Sequence, residues 1–200
     1  MVEITAAMVK ELRDKTGAGI MDCKKALKGC SGDVEKSFDF LRQKGIATAS
    51  SRSGRVTSEG IIQSYIHSGG NIGVMVEINC ETDFVARTDD FAKFAKNIAM
   101  HIAAVNPIGI ESDDISKAIL ERETKIYEAQ VMDMKKPDNI LKKIIDGKLS
   151  KFLKDNCLLD QQYVKETDKT VSDYLNEIVA KTGEKIVIKR FVRFQLGENS

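Results

Sequence analysis

From Val74 to Cys80, an apolar residue stands at every second position. Val74, Val76, Ile78 and Cys80 share one side; Met75, Glu77, Asn79 and Glu81 share the other. A period of two marks a strand with one face in a core. Partners for it lie on both sides in the chain. Residues 61–67 form an apolar and polar run bounded by Gly60 and by Ser68-Gly69-Gly70-Asn71, a glycine-rich segment that reads as a hairpin turn. Ile186 to Leu196, rich in Val, Ile and Phe, reads as a long final strand. Helical patterns fill the space between. Two strands, then helices, then one strand fit a small antiparallel sheet with helices on one face, an α+β fold.

Ahead of the sheet the period is helical. Thr5 can cap a first helix with the stripe Met8, Val9 and Leu12, broken at Thr16-Gly17-Ala18-Gly19. Cys23, Ala26, Leu27 and Cys30 lie on one face of a second. Asp33 can cap a third, which buries Val34, Phe38 and Leu41 and is expected to stop at Gly45. Three short helices over residues 1–45 make a small bundle, marginal alone, that needs a partner or a second domain to lean on. Residues 46–58, rich in Ala, Ser, Thr, Arg and Gly, read as a linker or connecting helix.

After the second strand, one helix carries Phe91, Ala95, Ile98, Ile102 and Val105. Another is expected from about Asp113 to Met134. A third opens at Pro137 with the stripe Ile140, Leu141, Ile144, Ile145, Leu149, Phe152 and Leu153. A last one runs from Val171 to Lys181, closed by Gly183.

Composition narrows the function classes. The 200 residues are 42% hydrophobic and 30% charged, ordinary for a globular chain. Lys and Arg number 31 against 30 Asp and Glu, so the net charge is +1. A nucleic-acid binder shows a basic excess or stripe, and direct contact with nucleic acid is not expected. The local cluster Arg42, Lys44, Arg52 and Arg55 either touches phosphate or lines a solvated connector. No apolar run approaches the roughly 20 residues of a membrane span. Four cysteines without a Cys-x-x-Cys pair, and two separated histidines, are poor material for zinc. Cys23, Cys30 and Cys80 fall on apolar faces and read as reduced core residues. A cytoplasmic protein is expected, or an organellar one if a transit peptide has been removed.

Enzymatic chemistry is thinly represented. There is no Gly-x-x-x-x-Gly-Lys-Ser/Thr loop. Two histidines cannot be built into a nucleophilic triad, and His67 and His101 read as structural or interface residues. Glu81, Asp83, Asp89 and Asp90 cluster after the second strand. They either cap and solvate a helix start or form an acid–base pair. No cofactor and no metal are implied.

Thr82-Asp83-Phe84-Val85-Ala86 forms a strand-to-helix corner, an exposed kind of position. An aromatic residue beside a charge there has two readings. Phe84 folds inward and plugs the core, or it stays outside for a partner.

At this point the sequence resembles the elongation factor Ts family, guanine-nucleotide exchange factors of the GTPase EF-Tu. Two stretches carry the resemblance: VKELRDKTGAGIMDCKKAL from Val9 to Leu27, and VEINCETDFVA from Val76 to Ala86. IAMHIAA from Ile98 to Ala104 is a weaker third. The resemblance spans almost the whole chain. It implies a ubiquitin-associated-like (UBA-like) three-helix domain followed by a core or dimerisation domain over residues 59–200. It implies that the helical domain docks on EF-Tu and that the corner displaces the magnesium ion at the nucleotide site. By position the corner is Thr82, Asp83, Phe84 and Val85, and the docking residues are Leu12, Arg13, Gly17, Ala18, Gly19 and Ile20. His101 falls in a helix similar to a family contact region.

Long family members have a core of two related halves and a coiled-coil insertion. Here the core holds one half, about 140 residues, as in the short members. That implies pairing of two chains. An exchange factor needs no catalytic side chain of its own, and no enzyme activity is expected. The other readings are an adaptor working through its first 50 residues, an enzyme using Glu81 and Asp83, and an inactive structural dimer.

Overall fold

In the computed structural model, residues 4–52, 54–132, 134 and 136–198 are described. The chain opens with three helices: α1 (Ala6–Thr16), α2 (Ile20–Gly29) and α3 (Val34–Ser51). Thr5 caps α1, accepting from the Met8 amide at 3.3 Å. Gly17 ends it in a left-handed conformation that glycine adopts without strain. Leu12, Cys23, Ala26, Leu27 and Leu41 form one hydrophobic cluster among these helices.

Gly45 does not stop α3, contrary to expectation; the helix continues to Ser51. The glycine serves packing instead. A Cβ at Gly45 would lie 3.4 Å from Cβ of Ala180 and 3.6 Å from the Asn176 carbonyl, so α3 passes close over a later helix. The segment expected to be a linker or connecting helix is thus helical over its first part, up to Ser51.

The sheet has three antiparallel strands: β1 (Glu59–Ile66), β2 (Ile72–Cys80) and β3 (Val187–Gln195), in that spatial order. A bulge between Glu77 and Ile78 shifts the β2–β3 register. The alternation in β2 is realised as read. Val74, Val76, Ile78 and Cys80 are buried, and Met75 points away. The helices α5 (Asp89–Val105) and α8 (Val171–Thr182) supply Phe91, Phe94, Ile98, Ile102, Tyr174 and Val179 to that core. The fold is α+β, with helices against one sheet face.

Between β2 and α5 lies a single turn, α4 (Asp83–Ala86). Beyond α5, Glu111 and Asp114 form a capping box around the 3-10 turn Ser112–Asp114. A helix expected to begin near Asp113 and run to Met134 therefore starts later: α6 is Lys117–Val131, capped by Ser116. It pairs with α7 (Asp138–Asn156) as a helical hairpin. The apolar stripe of α7 is only half-buried, and α7 has no fully buried side chain.

Candidate functional site

The corner after β2 is set by a chain of local bonds. Cys80 closes the strand in the core, and its thiol donates to the Thr82 carbonyl at 3.1 Å. Burial pushes that thiol up to about 11, so it is not a nucleophile. Thr82 takes an extended conformation and caps α4, its hydroxyl accepting from the Val85 amide at 3.4 Å. The next turn repeats the device. Thr88 accepts from the Phe91 amide at 3.3 Å and starts α5. Two threonine caps six residues apart leave a tight, fully specified bend.

Within the bend the four expected site residues divide into two kinds. Thr82 and Val85 face inward: Thr82 is bonded at both ends of its hydroxyl, and Val85 packs on the core beside buried Ala86. Asp83 and Phe84 face out. Asp83 pairs with Arg87 across one helical turn at 3.1 Å. Phe84 is 81% exposed and takes no part in the core, so it is not a core plug.

Of the carboxylates clustered after β2, Glu81, Asp83 and Asp90 are in ion pairs. Glu81 lies between Arg55 at 2.9 Å and Arg52 at 3.6 Å, and accepts from the Lys185 amide at 2.6 Å. That amide, then the Arg55 guanidinium, hold the Glu81 carboxyl below the usual carboxylate range. A general acid needs the opposite shift. Asp90 pairs with Lys181 at 2.6 Å, at the start of α5 where an anion is favoured. The basic cluster is likewise paired: Arg42 with Asp173 at 2.7 Å and Lys44 with Asp22 at 2.6 Å. Among the described residues, no group of three His, Cys, Asp or Glu side chains could hold a metal ion.

The expected docking residues also divide. Leu12 is wholly buried, Gly17 is the left-handed cap, and Ala18 is half-buried with its carbonyl accepting from the Cys23 thiol. They shape the bundle. Arg13, Gly19 and Ile20 are on the surface, with Ile20 55% exposed. Met21 is 64% exposed beside it. Ile20 lines a shallow depression with Ile4 and Val9, rimmed by Lys10, Arg13 and Lys24. Met21 was missing from the sequence reading, although its place one residue after Ile20 at a helix start was a usable signal.

His101 is in the core, with no exposed surface. Its Nε2 meets Gln161 Oε1 at 3.0 Å, and its Nδ1 accepts from the Val164 amide at 3.3 Å. Burial pushes the ring below its ordinary value. The structure assigns it to the joint between α5 and the segment before α8, and a direct contact with a partner would require that joint to open.

Residues 45–198 match the profile of the family described as Elongation factor TS. The chain is 64% identical to "Elongation factor Ts" of Desulfosudis oleivorans, over 99% of this chain and all of that protein. It is 58% identical to "Elongation factor Ts" of Syntrophobacter fumaroxidans, over 98% of each chain. The "Elongation factor Ts" of a Thermoanaerobacter species is 56% identical, over 98% of this chain and 96% of that one. With the strand, the corner and the helical bundle in the order the resemblance requires, the chain belongs to the elongation factor Ts family.

Proposed function

We propose that this chain binds EF-Tu carrying GDP and promotes release of the nucleotide, so that GTP can take its place. The observation that carries the proposal is Phe84: a large aromatic side chain left in water on a bend whose Thr82 is bonded inward and whose Val85 packs on the core. A side chain so placed gains most by entering another protein. Asp83 stands beside it and carries charge to the same spot.

In this reading the N-terminal bundle, of UBA-like kind, docks through the face bearing Arg13, Gly19 and Ile20. The corner then reaches the nucleotide site and dislodges the magnesium ion there. An ion bridging phosphate and protein contributes several kcal/mol of charge stabilisation. Displacing it loosens GDP without any bond being made or broken by this chain. Coupling must be reciprocal: GDP weakens binding of the chain by the factor by which the chain weakens GDP. The protein is an exchange factor without catalytic chemistry of its own, acting in the cytoplasm beside its GTPase.

We further propose that two chains pair through the uncovered face of the sheet. Ile62, Ile66, Met75, Val192 and Phe194 are exposed there, adjacent to one another by strand register. Gly73 makes room for the Ile66 side chain, which lies 3.1 Å from the place a Cβ would occupy. Ser64 and the Glu77–Arg190 ion pair share this face, and a twofold axis can cover its apolar side chains with those of its own copy.

The test of exchange is the release of a fluorescent GDP analogue from EF-Tu, followed in real time. Acceleration by sub-stoichiometric chain, weakened by added magnesium, is expected. No acceleration with folded chain and active EF-Tu overturns the proposal and favours an adaptor.

A further inference from the structure

The bend that carries Phe84 is gripped from a distant part of the chain. The β2–β3 ladder ends where Asn79 faces Val187. Beyond it, the amides of Glu81 and Thr82 leave the strand before a helix has begun. Glu184, in the loop between α8 and β3, meets both. Its Oε2 accepts from the Glu81 amide at 3.2 Å and from the Thr82 amide at 3.0 Å. Its Oε1 accepts from the Thr82 hydroxyl at 2.6 Å. Glu81 returns the grip, accepting from the Lys185 amide at 2.6 Å. Each glutamate thus bonds backbone on the other's segment.

The arrangement reaches the segment after α3 as well. Arg55 donates to Glu81 at 2.9 Å, and the Lys185 ammonium donates to the Arg55 carbonyl at 2.9 Å. Charge-assisted bonds of this kind are stronger than neutral ones and fix direction. The bend is therefore set against β3 and against the tether of the N-terminal bundle at the same point. Thr82 feels this most directly, since the hydroxyl that caps α4 is itself held by Glu184.

We infer that Glu184 and Glu81 are positioning residues that hold the Asp83–Phe84 bend in its projecting orientation for nucleotide exchange. The role in exchange rests on the function proposed above; the grip itself does not. A misplacement of about 1 Å at a working group can cost as much as a hundred-fold in rate. Loss of the grip therefore lowers the maximal rate of exchange and leaves docking intact.

The test uses the full chain with Glu184→Ala and Glu184→Gln. Glutamine keeps one acceptor for an amide and nearly the same shape, so it serves if the alanine variant does not fold. The first readout is amide hydrogen exchange in the free protein. Faster exchange confined to residues 81–88 is expected, smaller for glutamine than for alanine. Unchanged exchange there overturns the inference whatever EF-Tu does. The second readout is GDP release at increasing chain concentration. The maximal rate should fall roughly ten-fold for Glu184→Ala, with partial recovery for Glu184→Gln and a half-saturating concentration within about two-fold of the parent. An unaltered maximal rate overturns the positioning role, with Phe84→Ala run beside it as the slowed control. A parent chain that releases no GDP defeats the proposed function instead, and amide exchange then decides the grip alone.

Discussion

Phe84 and its neighbours show how residues adjacent in sequence take opposite fates. Cys80 and Ala86 lie in the core, and Phe84 between them lies in water. Replacing it by alanine should leave stability within about 0.5 kcal/mol, as for a surface site. Burial of one Phe side chain against a partner is worth roughly 1.5–3 kcal/mol. That amounts to about one to two decades in an equilibrium constant, so the bundle and core must supply the rest of the coupling. His101 belongs to the same scale with the opposite logic. Its folded value lies below the ordinary 6.5 because burial opposes the charged ring. Below pH 6.5 the unfolded chain takes up a proton that the folded chain refuses. Stability held by the neutral ring is therefore complete above that pH and is lost as pH falls toward the folded value. An NMR titration of His101 should show a midpoint under 6.5, with Gln161 and the Val164 amide as its bonded neighbours. A midpoint at or above that value contradicts the buried, doubly bonded ring.

At the level of elements, local pattern was enough wherever local physics decided the outcome. The alternation in β2, the Thr5 cap and the glycine after α1 all sit where the sequence placed them. The bend at 82–86 was legible because strand and helix patterns meet there. Gly45 and Gly60 each answer to a neighbour distant in sequence. Gly45 lets α3 pass over α8, where the local pattern reads as a helix stop. Gly60 stands at the start of β1, as the sequence reads, but its φ of +148° answers to β2: a Cβ there would come 2.1 Å from the Ile78 carbonyl oxygen. Backbone cannot yield as a side-chain tip does. Gly60→Ala should cost on the order of 1–3 kcal/mol in strain. For a chain of this length that lowers Tm by roughly 2–4 °C per kcal/mol. An unchanged melting curve contradicts the strand register. Glu184 could not be read at all: it reaches Thr82 across 102 residues, and nothing in its own surroundings announces a partner.

Over the whole molecule, the sheet has helices on one face and apolar side chains in water on the other. The expectation of one half-core that pairs with a second copy gives that face an occupant. Phe194, 68% exposed on β3, lies at its edge beside Gly73. Phe194→Asp places a charge where two copies would meet, and should shift the sedimentation of the protein from dimer to monomer with little change in secondary structure. Sedimentation identical to that of the parent contradicts pairing through the sheet.

In the proposed exchange, Phe84 on its bend supplies about one to two decades of the loosening of GDP. The most direct measurement compares the parent chain and Phe84→Ala in the release of a fluorescent GDP analogue from EF-Tu, with thermal melts of both proteins alongside. Matching melts are expected, with a release rate lowered roughly ten- to a hundred-fold in the variant. Equal release by the two proteins, or a variant that no longer folds, contradicts that role for Phe84.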